Sequence, residues 1–279
     1  LSNTSEISFL PLADEYVLPL PQVGDNAVLT VTIGDYVTKG EEITNGEHFG
    51  YLPVHSPISG HVTHIEQRPS NHPSGLPQLS CVIRPDGLNT LSENIHPKLA
   101  LRDIENLSNQ DVLGKIQHAG IAGLGGAAFP SHIKLNPASD IELLIINAIE
   151  CEPYITSDDM IMREQSDAIM QGIAIIYQLL TPKRLIIAIE DNKPQAIDIM
   201  QQALSRSVLP KEGERITSVP TLYPSGGEKQ LIQIVTGQEV PSGAIPAQLG
   251  ILVQNVATCY AIQDAVLRNY PLIDRVVTI

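Results

Sequence analysis

The amino-acid sequence predicts a molecule in two parts, a small all-β module followed by an α/β domain with a largely parallel sheet. Three observations predict it. Up to about Leu91 the chain carries only short alternating stretches broken by Gly and Pro, with no helical periodicity. Beyond Pro97, continuous apolar runs alternate with stretches of helical length, the pattern of strands buried on both faces and joined by helices. Charge divides at about the same place: 11 acidic and 3 basic residues through Glu93 give net −8, and the rest of the chain adds −6 to reach −14.

The elements follow in order. Val28 to Ile33 alternates like a strand, with Gly34-Asp35 as its turn, and Val37 and Ile43 flank a second turn at Lys39-Gly40. Val54 to Val62 reads as a strand, a Pro/Gly turn and another strand. A linker rich in Asn, Ser and Pro, Asp86 to Pro97, closes the module. Ser108 is placed to cap a helix running through Ala119, with Gly120 as its stop. Buried strands are expected at Leu143–Asn147, Arg184–Glu190 and Ile251–Gln254, and helices at Met160–Leu180, Pro194–Arg206, Glu228–Val235 and Thr258–Arg268. Arg275–Ile279 reads as the start of a further strand.

Composition narrows the function. The chain has 279 residues, 43% hydrophobic and 17% charged, which is a globular balance with material for a sizeable core. It contains no apolar run of the ~18–20 residues that span a bilayer, and no basic-then-apolar leader, so a soluble chain attached to membranes only through partners is expected. An acidic excess of this size argues against nucleic acid, which is bound by neutralising phosphates. Cys81, Cys151 and Cys259 are far apart and form no C-x-x-C pair, so neither zinc nor an iron–sulfur cluster is expected here. His55, His61 and His64 are close in sequence, but strand alternation would set His61 and His64 on opposite faces, so no metal site is expected there either.

Four clusters carry the chemistry. The densest is Gly120 to Pro130, G-I-A-G-L-G-G-A-A-F-P, with Lys134 shortly after. Glycines at this density leave backbone N–H groups uncovered for a phosphate or a planar ring, although a plain Gly/Ala loop has the same composition. It is not a Walker A loop, and it follows a helix instead of a strand, so a standard Rossmann dinucleotide site is not expected. The second, Asn147-Ala148-Ile149-Glu150-Cys151-Glu152-Pro153, ends a buried strand, where open α/β sheets collect ligands. Its polar groups suit a ribose or a flavin edge, and they equally suit a solvated turn. The third, Pro224 to Lys229, opens a helix, and the fourth, Gln254 to Thr258, joins a strand end to a helix.

In this order the clusters resemble the RnfC proteins of the Rnf ion-translocating electron-transport complexes, and more distantly the NADH-binding flavoprotein subunit of respiratory complex I. Gly123, Gly125, Gly126, Ala127, Phe129, Pro130 and Lys134 fall on the family's G-x-G-G-A-G-F-P…K loop. Asn147, Ala148, Glu150, Glu152 and Pro153 fall on N-A-x-E-x-E-P, Gly226 and Glu228 on G-x-E, and Asn255, Val256 and Thr258 on N-V-x-T. Four positions depart from the complex I pattern: Leu124 replaces Arg, Ala128 replaces a glycine, Ile149 replaces Asp and Gly227 replaces a Glu. The first module, with G-D-x-V-x-x-G-x-x-I and H-S-P-x-S-G-x-V, resembles the barrel-sandwich fold of lipoyl and biotinyl carriers. Its hairpin stretch, Thr44 to Pro53, lacks the carrier lysine.

The resemblance implies a barrel-sandwich-like β domain over 1–95, a Rossmann-like α/β domain binding FMN and NADH over 96–272, and a following β domain begun at 273–279. FMN would be held without a covalent link by Gly123, Gly125, Gly126, Lys134, Asn147, Glu150, Gly226, Glu228, Asn255 and Thr258. NADH would meet Phe129, Glu152 and Lys229. Hydride transfer between stacked rings is positioning, so no catalytic acid or base is implied. Further implications are the other Rnf subunits as partners, ferredoxin reached indirectly, 4Fe–4S clusters only beyond residue 279, and a place on the cytoplasmic side of the bacterial inner membrane. Two alternatives remain beside it, a microcompartment cobalamin reductase and a docking scaffold that has lost its flavin.

Overall fold

The computed structural model describes residues 5–20, 23, 27–70, 74–96, 99–210 and 215–279. Pro97, the end of the predicted linker, lies outside them.

The first module is all β. Strands β1 (Tyr16–Pro19), β6 (Gln78–Pro85), β5 (Gly60–Arg68) and β3 (Tyr36–Val37) make one antiparallel sheet in that order, and β2 (Val28–Leu29) pairs with β4 (Thr44–Asn45). Val37, Ile43, Ile58, Val62, Cys81 and Ile83 fill its centre. The turns at Gly34 and Gly40 form as expected, each glycine at positive φ. The predicted strand Val28–Ile33 shrinks to its first two residues, because Thr32 turns back to Asp35 through two side-chain hydrogen bonds. Of the expected Val54–Val62 pair, only a single bridge at His55 and the strand from Gly60 appear. A bulge at Val62/His64 interrupts the alternation expected of that strand, and His61 and His64 are both exposed.

The α/β domain is a parallel four-stranded sheet, β10 (Ile251–Asn255), β7 (Leu143–Ala148), β8 (Arg184–Glu190) and β9 (Ile216–Val219), in that order. The sequence reading missed β9, in which Val219 alone is buried, Ile216 and Thr217 are half-buried and Ser218 is exposed. Helix α1 (Asn109–His118) starts at Ser108 with a reciprocal cap to Asp111 and stops at Gly120. A single helical turn, α2 (Ser131–Lys134), follows the glycine loop. The expected helix Met160–Leu180 is two helices, α3 (Ser157–Glu164) and α4 (Ser166–Leu180), because Gln165 leaves helical geometry at φ −125° and ψ 25°. The break lets α3 turn its N-terminus to Glu150 at the strand end while α4 packs against α7 and α5. Helices α5 (Pro194–Arg206), α6 (Glu228–Thr236) and α7 (Val256–Arg268) complete the domain near their predicted bounds. Arg275–Ile279 forms no strand; it runs across α3, where the Thr278 hydroxyl accepts from the Thr156 N–H at 2.9 Å.

The two parts are pressed together. Main-chain bonds tie His96 and Leu99 to the end of α7, and Ile7 packs on the α/β core while its N–H meets Glu164. Among the described residues no helix is long and apolar enough to cross a membrane.

Candidate functional site

Parallel strands deliver their carboxyl ends to one edge, and the four clusters converge there. Asn147 and Asn255 are register partners across β7 and β10. Asn147 donates to the Gly226 carbonyl at 2.9 Å and accepts from the Ile149 N–H at 3.1 Å, joining the second cluster to the third. Gly226 fits against Cys151 and Ile149 so closely that a Cβ would sit 3.0 Å from the sulfur, which explains a glycine at that place. Asn255 caps α7, accepting from the Thr258 N–H at 3.1 Å, and the Thr258 hydroxyl accepts from the Leu124 N–H at 2.9 Å. The fourth cluster therefore holds the glycine loop in place. Gly125 rests on Asn255, where a Cβ would come within 3.1 Å of the Asn255 side chain.

The loop is held as a hairpin with part of its backbone uncovered. Its hairpin is closed by the Gly123 N–H on the Phe129 carbonyl at 2.9 Å. At Gly126, φ is +99°, and a side chain there would meet nothing within 4 Å, so the backbone faces open space. Ala128 also takes a left-handed φ of 49°, a conformation that normally favours glycine. Phe129 is half-exposed beside it. Lys134 reaches Glu228 of α6 at 2.8 Å, so the cation lies at the mouth, matched to a carboxylate. The buried hydroxyls of Ser131 and Ser225, which flank the loop and the Gly226 turn, have no partner among the described residues. Uncovered N–H groups, one lysine and unpartnered hydroxyls are the donor set an anionic, polar ligand requires.

Not every expected residue faces this opening. Glu150 turns inward: its carboxylate accepts from the Ser157 hydroxyl and from the Asp158 and Asp159 N–H groups, and lies 3.6 Å from Lys193. It caps α3 from behind the site. Lys229 points away, toward the Pro241 carbonyl at 3.4 Å. Glu152 is exposed on the turn after Cys151.

The sequence reading missed the charged layer beneath. Asn255 donates to Asp158 at 2.8 Å, and burial, with Glu150 nearby, pushes the Asp158 carboxyl up to about 6. Glu190, at the end of β8, is fully buried, and its oxygens have no hydrogen-bond partner among the described residues. Burial raises its pKa, drawn back by Lys193. Arg275 donates to the Leu124 carbonyl at 3.4 Å from the chain's last segment. The one available signal was position: Glu190 directly follows a run of buried apolar residues at a strand end. The cysteines form no disulfide, and burial raises the thiols of Cys81 and Cys259. Among the described residues no group of His, Cys, Asp and Glu is gathered for a metal.

Comparison with known proteins places the chain in a family. Residues 116–264 match the family model of the Nuo51 FMN-binding domain, and residues 1–88 match the RnfC barrel sandwich hybrid domain. Over its whole length the chain is 44% identical to the C subunit of the ion-translocating oxidoreductase complex of Haemophilus influenzae (strain 86-028NP), of which it covers 41%. Identity is 45% to the Pectobacterium carotovorum protein of the same name and 46% to that of Vibrio cholerae, covering 36% and 35% of them. The chain thus spans well under half the length of these curated relatives. Among solved structures, an NAD+-reducing NiFe hydrogenase in the H2-reduced state shares the fold at TM-score 0.51 and 23% identity, over 61% of this chain and 33% of that one.

Proposed function

The chain belongs to the family of the Nuo51 FMN-binding domain, in the branch that carries an RnfC barrel sandwich hybrid domain ahead of it, and from that premise we propose that it oxidises NADH at a non-covalently held FMN. The observation that carries the reading is the convergence of four separate clusters on one strand-end opening, where Gly126 is uncovered and Lys134 supplies a cation. FMN, when bound, supplies the ring that accepts a hydride.

The residues of this chain do the rest by position. The Gly123–Gly126 backbone and Lys134 hold the phosphate end. Asn147, Asn255 and Thr258 keep the loop and the strand ends at a fixed separation, and Gly226 and Glu228 close the far side. Phe129 offers an apolar face for a nicotinamide cofactor, and Glu152 a carboxylate for ribose hydroxyls. For that chemistry the residues of this chain would need only to hold and orient the ligands, with no side chain acting as general acid or base. Lys229 lies outside this arrangement. In the complete protein, electrons would leave through clusters beyond residue 279 toward ferredoxin, with the other members of the complex holding this chain at the cytoplasmic face of the inner membrane.

The test is anaerobic. NADH added to the flavin-loaded protein should bleach the oxidised flavin spectrum in stoichiometric amount, faster than NADPH does. A flavin that binds but stays oxidised with NADH would overturn the electron-donor half of the reading and leave the flavin half standing.

A further inference from the structure

In carrier domains of the barrel-sandwich type the hairpin tip is a free end that bears a cofactor; here it is docked. The Phe49 carbonyl at the tip accepts from His132 Nε2 at 2.9 Å, and the two rings meet edge to face with centroids 5.5 Å apart. Gln117 of α1 reaches the Phe49 and Tyr51 carbonyls at 3.4 and 3.3 Å. The tip is itself rigid. Gly46 lies flat on the Tyr51 ring, the Tyr51 N–H closes a turn on His48 at 3.0 Å, and the Tyr51 hydroxyl lies 3.0 Å from Thr44 Oγ1. Next to it, Gly120 at the root of the glycine loop sits so near the Pro53 carbonyl that a Cβ would come within 2.8 Å.

His132 stands two residues before Lys134 on α2, and that helix is four residues long. One turn of helix has almost no stability of its own, so its position is set by what it touches. On one side it is tied to Ile121 through the Ser131 N–H at 2.9 Å. On the other, the tip holds His132, which is 4% exposed. We propose that the hairpin tip of the β module is a fixed brace that, through Phe49 and His132, positions Lys134 toward the flavin phosphate. This rests on the FMN reading above and goes beyond it, because it gives the β module a part in the flavin site and makes His132 a positioning residue. Burial lowers the His132 pKa, consistent with a neutral ring whose Nε2 proton is directed at the Phe49 carbonyl.

The brace acts on the phosphate end alone, so the test compares two flavins that differ only there. FMN and riboflavin are titrated into the full chain, for the wild type, His132→Leu and His132→Gln, with circular dichroism as a check on folding. His132→Leu should weaken FMN by roughly threefold to tenfold, the worth of one hydrogen bond, and leave riboflavin within about twofold. His132→Gln keeps an N–H donor and should recover most of the FMN affinity. Phe49→Ala, at an exposed side chain, should move the same ratio in the same direction by less, and it decides the matter if His132→Leu does not fold. An unchanged FMN-to-riboflavin ratio in the folded variants, or an equal loss for both ligands, overturns the brace. A wild type that binds neither flavin overturns the FMN reading, and the brace with it.

Discussion

Strands β7 and β8 of the α/β domain are buried on both faces, with Leu144, Ile145, Ile146, Ile187, Ala188 and Ile189 excluded from solvent. The β module has a smaller apolar centre and buries hydroxyls around it: Thr44, Ser56, Ser59 and Ser80 are all inaccessible, and they bond to backbone. Thr44 Oγ1 accepts from the Val54 N–H, Ser59 Oγ from the Thr90 N–H, and Ser56 Oγ donates to the Ile58 carbonyl. In one region order comes from apolar area, at roughly 25 cal/mol per Å² removed from water. In the other a small apolar centre is supplemented by turns whose polar groups are satisfied within the module. The large apolar core supplies a stiff strand edge for the site, and the small polar module supplies a rigid tip that leans on it.

That contrast should break most sharply at Gly172, where α4 crosses α7 and a Cβ would run into the Cys259 carbonyl. Gly172→Ala is expected to cost about 3 kcal/mol, at the upper end of overpacking, because the obstacle is backbone. Gly114→Ala, in open space on α1, should be neutral or slightly stabilising. Thermal unfolding of both variants checks this, and equal midpoints would contradict the packing account.

Acid should act on the seam between the regions. Burial lowers the His55 pKa from 6.5 to about 4, and its ring is 3.8 Å from where a Cβ on Gly120 would lie. The unfolded chain takes up this proton near 6.5, while the fold resists until about 4. The folded state is therefore favoured in full above that window and loses stability as pH falls through it, by about 3 kcal/mol in total. His55→Gln should flatten the slope of stability against pH between those values. A wild type whose stability is level across the window would exclude His55 as its source.

At the site the expected effects are smaller. Lys134→Ala should weaken FMN about tenfold, the lower end for a charge-assisted contact, because Glu228 already shares the ammonium. Glu228→Gln frees that charge and should tighten FMN a few-fold; titrations in which neither variant moves would remove Lys134 from the phosphate. Smallest of all, Glu152→Gln should narrow the preference for NADH over NADPH by roughly threefold to fivefold, since an exposed carboxylate is screened from the 2′-phosphate by solvent and salt. Steady-state rates with ferricyanide as acceptor measure it.

The same contrast decides what could be read from sequence. Arg184–Glu190 and Pro194–Arg206 have the bounds expected of them, since a doubly buried strand and a Pro-started helix leave unmistakable patterns. The module's two-residue strands leave none, because Thr32 and Thr44 look alike until their hydroxyls find partners, the Asp35 carboxylate for one and the Val54 N–H for the other. Asn147 and Asn255 could be singled out from strand-end position, and the glycine loop and Gly226 through the family resemblance; the structure brings all four to one edge. His132 and Asp158 were not, because a side chain's burial against a partner 83 or 97 residues away has no local signature. Glu150 shows the converse, a motif residue whose carboxylate is turned to capping a helix.

The central claim, that the strand-end opening of this chain holds FMN, is tested most directly by titrating FMN into the purified full chain and following flavin absorbance and fluorescence. The account predicts saturable uptake of one FMN per chain, released on denaturation without a covalent adduct and weakened in Lys134→Ala. No saturable uptake by the folded chain, or uptake indifferent to Lys134 and Asn255 substitutions, would contradict it.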